Sequence, residues 1–478
     1  MITSDSPDRP YSTRLRTALV LTGTGTAGAY HAGVLRALHE AGVRIDLVAG
    51  RGIGAVGAMF AAVDGGQRLW DRDGLWKHAA IGQAYRWRGP LQIAGWSMVA
   101  AAALLAVPLA LFGVGVVAAV AAMILFLVSL RGASIAVTSA YARSLDALFA
   151  PAALPTVIPG LIVFCLLVAI GALAVGLALD AWRAPARRRV KHGAIWRLLG
   201  APLSNAVVLQ RATGELWNLI RGAAAIAPPA RQDLGRRYIE LLAENLGQPG
   251  FRELLLVAHD MDARCDILFA LLGTDYRQHF FHQGTHPSDG VRGAEAFDLT
   301  GVAREHVMDA LAANLSVPIA TGPHLLRFPA DGPWRGETHR VCDRPGALDR
   351  ILEEVGRAGA EQVIVVSSAP PPGKPHELSS GRADLRGRAA EQLFSFEAAD
   401  LRDALERAAG KFKGLFLVRP AHNPLGPLDF SGAYDERSDR LYTVSELVDR
   451  GYEDAYHQFI EPVVAASGER IETAQSNK

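Results

Sequence analysis

The sequence predicts an α/β domain of three layers, a mostly parallel sheet with helices on both faces, interrupted by a transmembrane helical insertion. Three observations predict it. Apolar runs of strand length alternate with helical patterns, starting with the strand ALVL, a helix and the strand IDLVA, as in chains that build parallel sheets. Two glycine-rich turns, GTGTAG (23–28) and GRGIG (50–54), each join such a strand to a helix. Two runs without a charged residue, Leu91 to Leu130 and Ala147 to Leu179, both exceed the ~20 apolar residues that cross a bilayer.

Composition narrows the function. The 478 residues carry 49 basic and 48 acidic side chains, a net charge of +1, so nothing steers the chain toward nucleic acid. Cys165, Cys265 and Cys342 lie far apart, which points to a reducing compartment and to neither a disulfide framework nor a metal centre. No cofactor is expected.

In chain order, residues 1–16 read as a disordered lead without the apolar core of a secretory signal. Residues 17–82 open the α/β domain, with a strand at Ala18 to Leu21, a helix whose Val34, Leu35 and Leu38 share a face, and a second strand at Ile45 to Ala49. Residues 83–198 form the membrane insertion, with spans near 97–128 and 157–179. Forty helical residues would extend about 60 Å, too long for one span. The first run therefore reads as a span plus an in-plane helix kinked near Pro108, or as a tight hairpin turning at Gly113 and Gly115.

Arg86 and Arg88 precede the insertion, Arg183, Arg187, Arg188, Arg189 and Lys191 follow it, and the intervening loop holds Arg131, Arg143 and Asp146. Positive charge marks the cytoplasmic side, so both flanks are placed inside and the crossings are even in number. Two is the simplest count. Four would need a span through Ser134 to Ala147, where Arg143 and Asp146 oppose it. The expectation is a multi-pass protein of an inner, cytoplasmic membrane with its α/β domain on the cytoplasmic side, membrane lipids as partners and no nucleic acid.

Residues 199–465 resume the domain with a helical cap around LWNLIRGAAAI and RRYIELLAENL, strands at Glu253 to Val257 and Gln362 to Ser367, and a C-terminal helix carrying Tyr452, Tyr456, Phe459 and Ile460. Residues 466–478 read as a disordered tail.

The first glycine turn satisfies G-x-G-x-x-G, which also occurs in dinucleotide sites. Such a site needs an acidic residue at the end of the second strand, and Asp46 sits near its start. The second turn has the strand–turn–helix setting of a nucleophile elbow, G-x-S-x-G. Together with LVAHDMD, ALAANLSVPIATGPHLLRFPADG and Cys342-Asp343-Arg344-Pro345-Gly346, these motifs resemble the patatin-like phospholipase family over about residues 15–82 and 199–460. The resemblance implies a patatin-like fold, lipid acyl hydrolysis by a Ser–Asp dyad, and an oxyanion loop. It places Gly23, Thr24, Gly25, Gly28 and Ile53 as oxyanion or ligand-binding positions, Gly52 at the nucleophile and Asp343 at the dyad base, with Asp331 as the alternative.

Several residues depart from the family's pattern. Thr24 stands for the middle glycine of the first loop, Ala27 for its arginine, Gly52 for the serine, and Arg344-Pro345 for the two glycines of the third motif. Acyl transfer through a covalent intermediate needs a side-chain nucleophile, and glycine has none. The expected function is a membrane-anchored pseudoenzyme that binds lipid or regulates. The alternatives are a hydrolase using Asp343-activated water or another nucleophile, such as Cys342 with His339 nearby, and a non-enzymatic membrane scaffold.

Overall fold

The structure, a computed structural model, describes residues 11–78, 81–82, 84–148, 154–183, 200–282, 292–330, 334–371, 385–421, 425–435 and 440–465. Two compact units result, Met1–Arg86 with Leu203–Lys478, and Trp87–Pro202.

The first unit opens as β1 (Thr17–Leu21), α1 (Ala27–Glu40), β2 (Leu47–Gly50) and α2 (Gly54–Ala62). The second strand thus starts two residues later than its apolar pattern suggested, because Asp46 accepts the Thr17 N–H through its carboxylate (2.8 Å) and ends the preceding loop. The second unit contributes α3 (Gly89–Leu127), α4 (Arg131–Leu148) and α5 (Leu154–Arg183). After it come α6 (Ala206–Arg221), α7 (Arg231–Asn245), β3 (Glu253–Asp260), β4 (Cys265–Leu271), β5 (Ala294–Asp298), α8 (Val307–Asn314), β6 (His324–Arg327), β7 (Thr338–Cys342), α9 (Leu348–Arg357), β8 (Gln362–Val366), α10 (Leu385–Ala408), β9 (Gly414–Val418) and α11 (Val444–Ala455).

Nine strands form the main sheet among the described residues, in the order β9-β8-β1-β2-β3-β4-β5, with β7 on the end of β3 and β6 on β7. From β9 to β3 every pairing is parallel, and β4 runs antiparallel to β3. The alternation of side chains along each strand divides the core. Leu19, Leu21, Val48, Leu254 and Leu256 face one layer with α1 and α2, while Ala18, Val20, Leu47, Leu255 and Val257 face the other with α9 and α10. Each such Leu or Val stabilises the fold by about 1.5–3 kcal/mol relative to an exposed one.

Tyr11 corrects the boundary of the disordered lead. Its ring is buried edge-on against Phe416 and Phe459, and its hydroxyl accepts the Arg44 N–H, so order begins by residue 11. Residues 1–10 and 466–478, the basic positions 187–191 and Asp331 lie outside the described residues. In the C-terminal segment Phe459 is buried, whereas Tyr456 is exposed, so the aromatic stripe is only partly core.

The second unit is a helical hairpin. Rather than turning at Gly113 and Gly115, α3 runs as one helix for 39 residues with Pro108 inside it; the turn comes at residues 128–130. The stretch after it, expected as a loop, is the helix α4, which folds back so that the Ser134 hydroxyl donates to the Ala122 carbonyl (2.8 Å) and the Tyr141 hydroxyl to the Leu111 carbonyl (3.0 Å). Gly115 leaves the space that Tyr141 fills. Hydroxyls that bond to backbone carbonyls need no water, and this lets a sequence with five such residues form a helix against an apolar one. Arg88 and Asp180 pair with both guanidinium nitrogens engaged, which brings the end of α5 to the start of α3. Among the described residues two helices, Gly89–Leu127 and Val157–Trp182, are long and apolar enough to cross a membrane.

Candidate functional site

The two glycine turns meet at the ends of β1 and β2. The Arg51 N–H donates to the Leu21 carbonyl and the Ile53 N–H to the Gly23 carbonyl (3.0 Å), so the second turn is laced to the first. Gly52 has φ +55°, a conformation that glycine adopts without strain. Its N–H donates to the Asn314 side-chain carbonyl (2.8 Å), and the Asn314 amide donates in turn to the Ala310 carbonyl. A Cβ at Gly52 would lie 2.3 Å from the Gly23 carbonyl oxygen and 2.9 Å from Asp343 Oδ2.

Asp343 therefore lies beside the elbow, although 291 positions separate it from Gly52 in the sequence. It follows β7, whose end pairs with β3, and its N–H is bonded to the Ser316 carbonyl. Its carboxylate is fully buried and accepts from Arg51 Nη1 through both oxygens, at 3.2 and 3.0 Å. The other terminal nitrogen of Arg51 pairs with Glu397 on α10, which also accepts from the Ser368 hydroxyl (3.1 Å). Two carboxylates thus share one buried guanidinium. Burial pushes Asp343 up to about 6, with Arg51 opposing the rise and Glu397 adding to it. Burial also works against the charge of Arg51, but Asp343 and Glu397 together raise its pKa.

The first glycine loop is covered. The Thr26 N–H donates to the Asp429 carbonyl (3.0 Å), and a Cβ at Gly25 would come within 2.8 Å of that same oxygen. Phe430 stacks on Tyr85 with ring centroids 4.2 Å apart. Gly28 packs under the Trp76 ring, so it serves helix packing and reaches no ligand space. The cover thus comes from the segments around Trp76–Tyr85 and Leu425–Phe430. By contrast α7, in the region expected as a cap, bonds through the Tyr238 hydroxyl to the Met59 carbonyl at the end of α2. Between the loop and its cover lies a cavity of about 10 Å³, lined by Gly25, Thr26, Trp76, Tyr85 and Phe430 among others, which is room for about one water. The hydroxyls of Thr24 and Thr26 are buried there or close by, and neither has a hydrogen-bond partner among the described residues.

The arrangement limits the chemistry. No nucleophilic atom occupies the elbow, the Ile53 N–H is already engaged, and both oxygens of Asp343 accept from the Arg51 guanidinium. Cys342 is no substitute. It alternates with His339 along β7, so the two side chains leave opposite faces of the strand, and burial pushes its thiol up to about 12. His339 bonds instead to Asp260 (2.5 Å). The charged residues around β7 form structural pairs: Arg340 with Asp262, Arg344 with Asp266, and Glu337 with His339.

Sequence reasoning missed Arg51, Glu397 and Asn314. Arg51 left a signal, since a cation at the end of an apolar strand requires a buried counter-charge. Glu397 and Asn314 left none, because each lies within an ordinary helical pattern.

Comparison with known proteins gives the family. A family model for patatin-like phospholipase matches residues 19–337. Over 60 residues the chain is 48% identical to "Patatin-like phospholipase domain-containing protein 6" of Homo sapiens, and equally so to those of Mus musculus and Pongo abelii. That match covers 12% of this chain and 4% of the length of the relatives. Among solved structures, VipD from Legionella pneumophila aligns over 94% of this chain and 67% of its own with 11% identity and a TM-score of 0.30, a likeness too slight to carry a structural conclusion.

Proposed function

The chain belongs to the patatin-like phospholipase family, and from that premise we propose that it is a membrane-anchored member that engages lipid without hydrolysing it. One observation carries the reading. At the nucleophile position there is no side chain, and the place a serine Cβ would take lies 2.3 Å from the Gly23 carbonyl oxygen. The neighbouring carboxylate, Asp343, is held by Arg51 in a buried ion pair, an arrangement that suits a structural role. The exposed apolar helices α3 and α5 support the anchoring half of the proposal, since water disfavours such surfaces and lipid does not.

A hydrolase that uses Asp343 to activate water is the second reading, favoured by the raised pKa of that carboxyl, which suits a general base. Incubating purified full-length protein with vesicles of phosphatidylglycerol and phosphatidylethanolamine, followed by mass analysis of lipid and products, separates the readings. The proposal expects intact phospholipid held by the protein and no fatty acid or lysolipid above vesicles alone. Release of fatty acid contradicts it, and absence of both products and bound lipid favours a scaffold.

A further inference from the structure

Resting on the lipid engagement proposed above, we infer that residues 425–430 are an autoinhibitory plug, whose backbone sits on the first glycine loop where a ligand oxygen would bind. Lipid enters the site by displacing it. The segment meets the loop with oxygen atoms: the Asp429 carbonyl accepts the Thr26 N–H (3.0 Å), and a Cβ on Gly25 would lie 2.8 Å from that oxygen and 3.3 Å from the Pro427 carbonyl. Gly25 has φ +61°, so glycine permits both the turn and the close approach. Thr26 is the N-cap of the 14-residue α1, and N–H groups at the start of a helix attract ester and phosphate oxygens. A carbonyl of the chain itself takes that place here.

The closed loop leaves hydrogen-bonding capacity unused. Thr26 makes no side-chain cap, and the hydroxyls of Thr24 and Thr26 are buried without a partner among the described residues. Thr26 also lines the small cavity that Phe430 and Tyr85 border. A ligand oxygen in place of the Asp429 carbonyl keeps the N–H bond and gives these hydroxyls an acceptor, which favours the open, occupied state.

One side of the closure is fixed and the other is held lightly. The Tyr85 hydroxyl donates to the Leu315 carbonyl (3.3 Å), next to Asn314, which accepts the Gly52 N–H. Phe430 closes onto that fixed ring by stacking, a modest attraction. Behind it the segment turns where the Asp429 N–H donates to the Gly426 carbonyl (3.1 Å), and it is tethered where the Leu425 N–H donates to the Ser368 carbonyl (3.1 Å). Loss of the stack frees Asp429 from Thr26 while Leu425 stays in place.

Amide hydrogen exchange, read by mass spectrometry on full-length protein in detergent with and without soluble dihexanoylphosphatidylglycerol, tests the plug. Phe430→Ala removes the stacked ring, and Phe430→Leu keeps its apolar bulk in case the alanine variant unfolds. The expected result is that the probe speeds exchange over residues 425–430 several-fold while slowing it over 23–28, and that loss of the ring tightens probe binding several-fold. Slowing at 23–28 with 425–430 unchanged overturns the plug and leaves the lipid reading intact. No change at either segment in any of the three proteins overturns both. Release of 425–430 by inorganic phosphate alone, run in parallel, overturns lipid as the displacing ligand.

Discussion

The elbow and the hairpin each invert the usual distribution of residues. Around Gly52 the protein buries Arg51, Asp343 and Glu397, three charged groups. Along α3 and α5 it exposes Leu109, Phe112, Val117 and Phe164. The elbow can keep charge inside because each guanidinium end has a carboxylate. The hairpin can keep apolar groups outside only where its surroundings are apolar too. Placement thus follows the partner a group finds, and removing the partner should expose the penalty in either region.

Arg51→Ala should give the largest loss. It leaves two buried carboxylates without a cation, and breaking a buried pair from one side costs about 3–5 kcal/mol, readable by denaturant unfolding in detergent. Leu109→Arg, near the middle of α3, attacks the hairpin instead. A cation near the centre of a crossing helix costs about 2.5–3.5 kcal/mol of insertion, so the membrane-integrated fraction should fall; unchanged integration would detach the hairpin from the bilayer.

Gly52→Ser comes next. Strain and crowding against the Gly23 carbonyl should cost roughly 2–3 kcal/mol, and the variant should release no fatty acid, because Arg51 still occupies Asp343. Recovery of turnover would show that the lock opens readily.

The pH dependence refines the elbow side. Asp343 binds its proton more tightly when folded, with a pKa of about 6 against an ordinary 3.8. Its contribution to stability is therefore complete below about pH 4 and is lost as pH rises through about 6. Asp343→Asn should flatten the difference in stability between these limits. Smallest of all, Arg88→Gln removes the ion pair at the base of the hairpin and should cost under about 1 kcal/mol, because both partners reach solvent.

These regions also differ in how far they were legible. The first βαβ unit could be read because a short apolar run, a glycine turn and a helical face are local signals. Apolar length made the hairpin arms visible, but α4 was read as a loop, since Arg131, Arg143 and Asp146 mask a helix whose hydroxyls bond inward. Asp343 could be placed only through the resemblance. The clamp on it could not be foreseen, because Arg51 and Glu397 are 346 positions apart and no local pattern records such a pairing. Tyr11 was lost for a similar reason: its partners Phe416 and Phe459 lie at the far end of the chain.

The most direct measurement takes Asp343→Ala and the unaltered protein in one preparation and records both unfolding free energy and fatty-acid release from phospholipid vesicles. The account predicts that the variant loses roughly 2 kcal/mol of stability, through an arginine left half-satisfied, while release stays at the background level of both proteins. Turnover by the unaltered protein that vanishes in the variant, with stability preserved, would contradict it and make Asp343 a catalytic base.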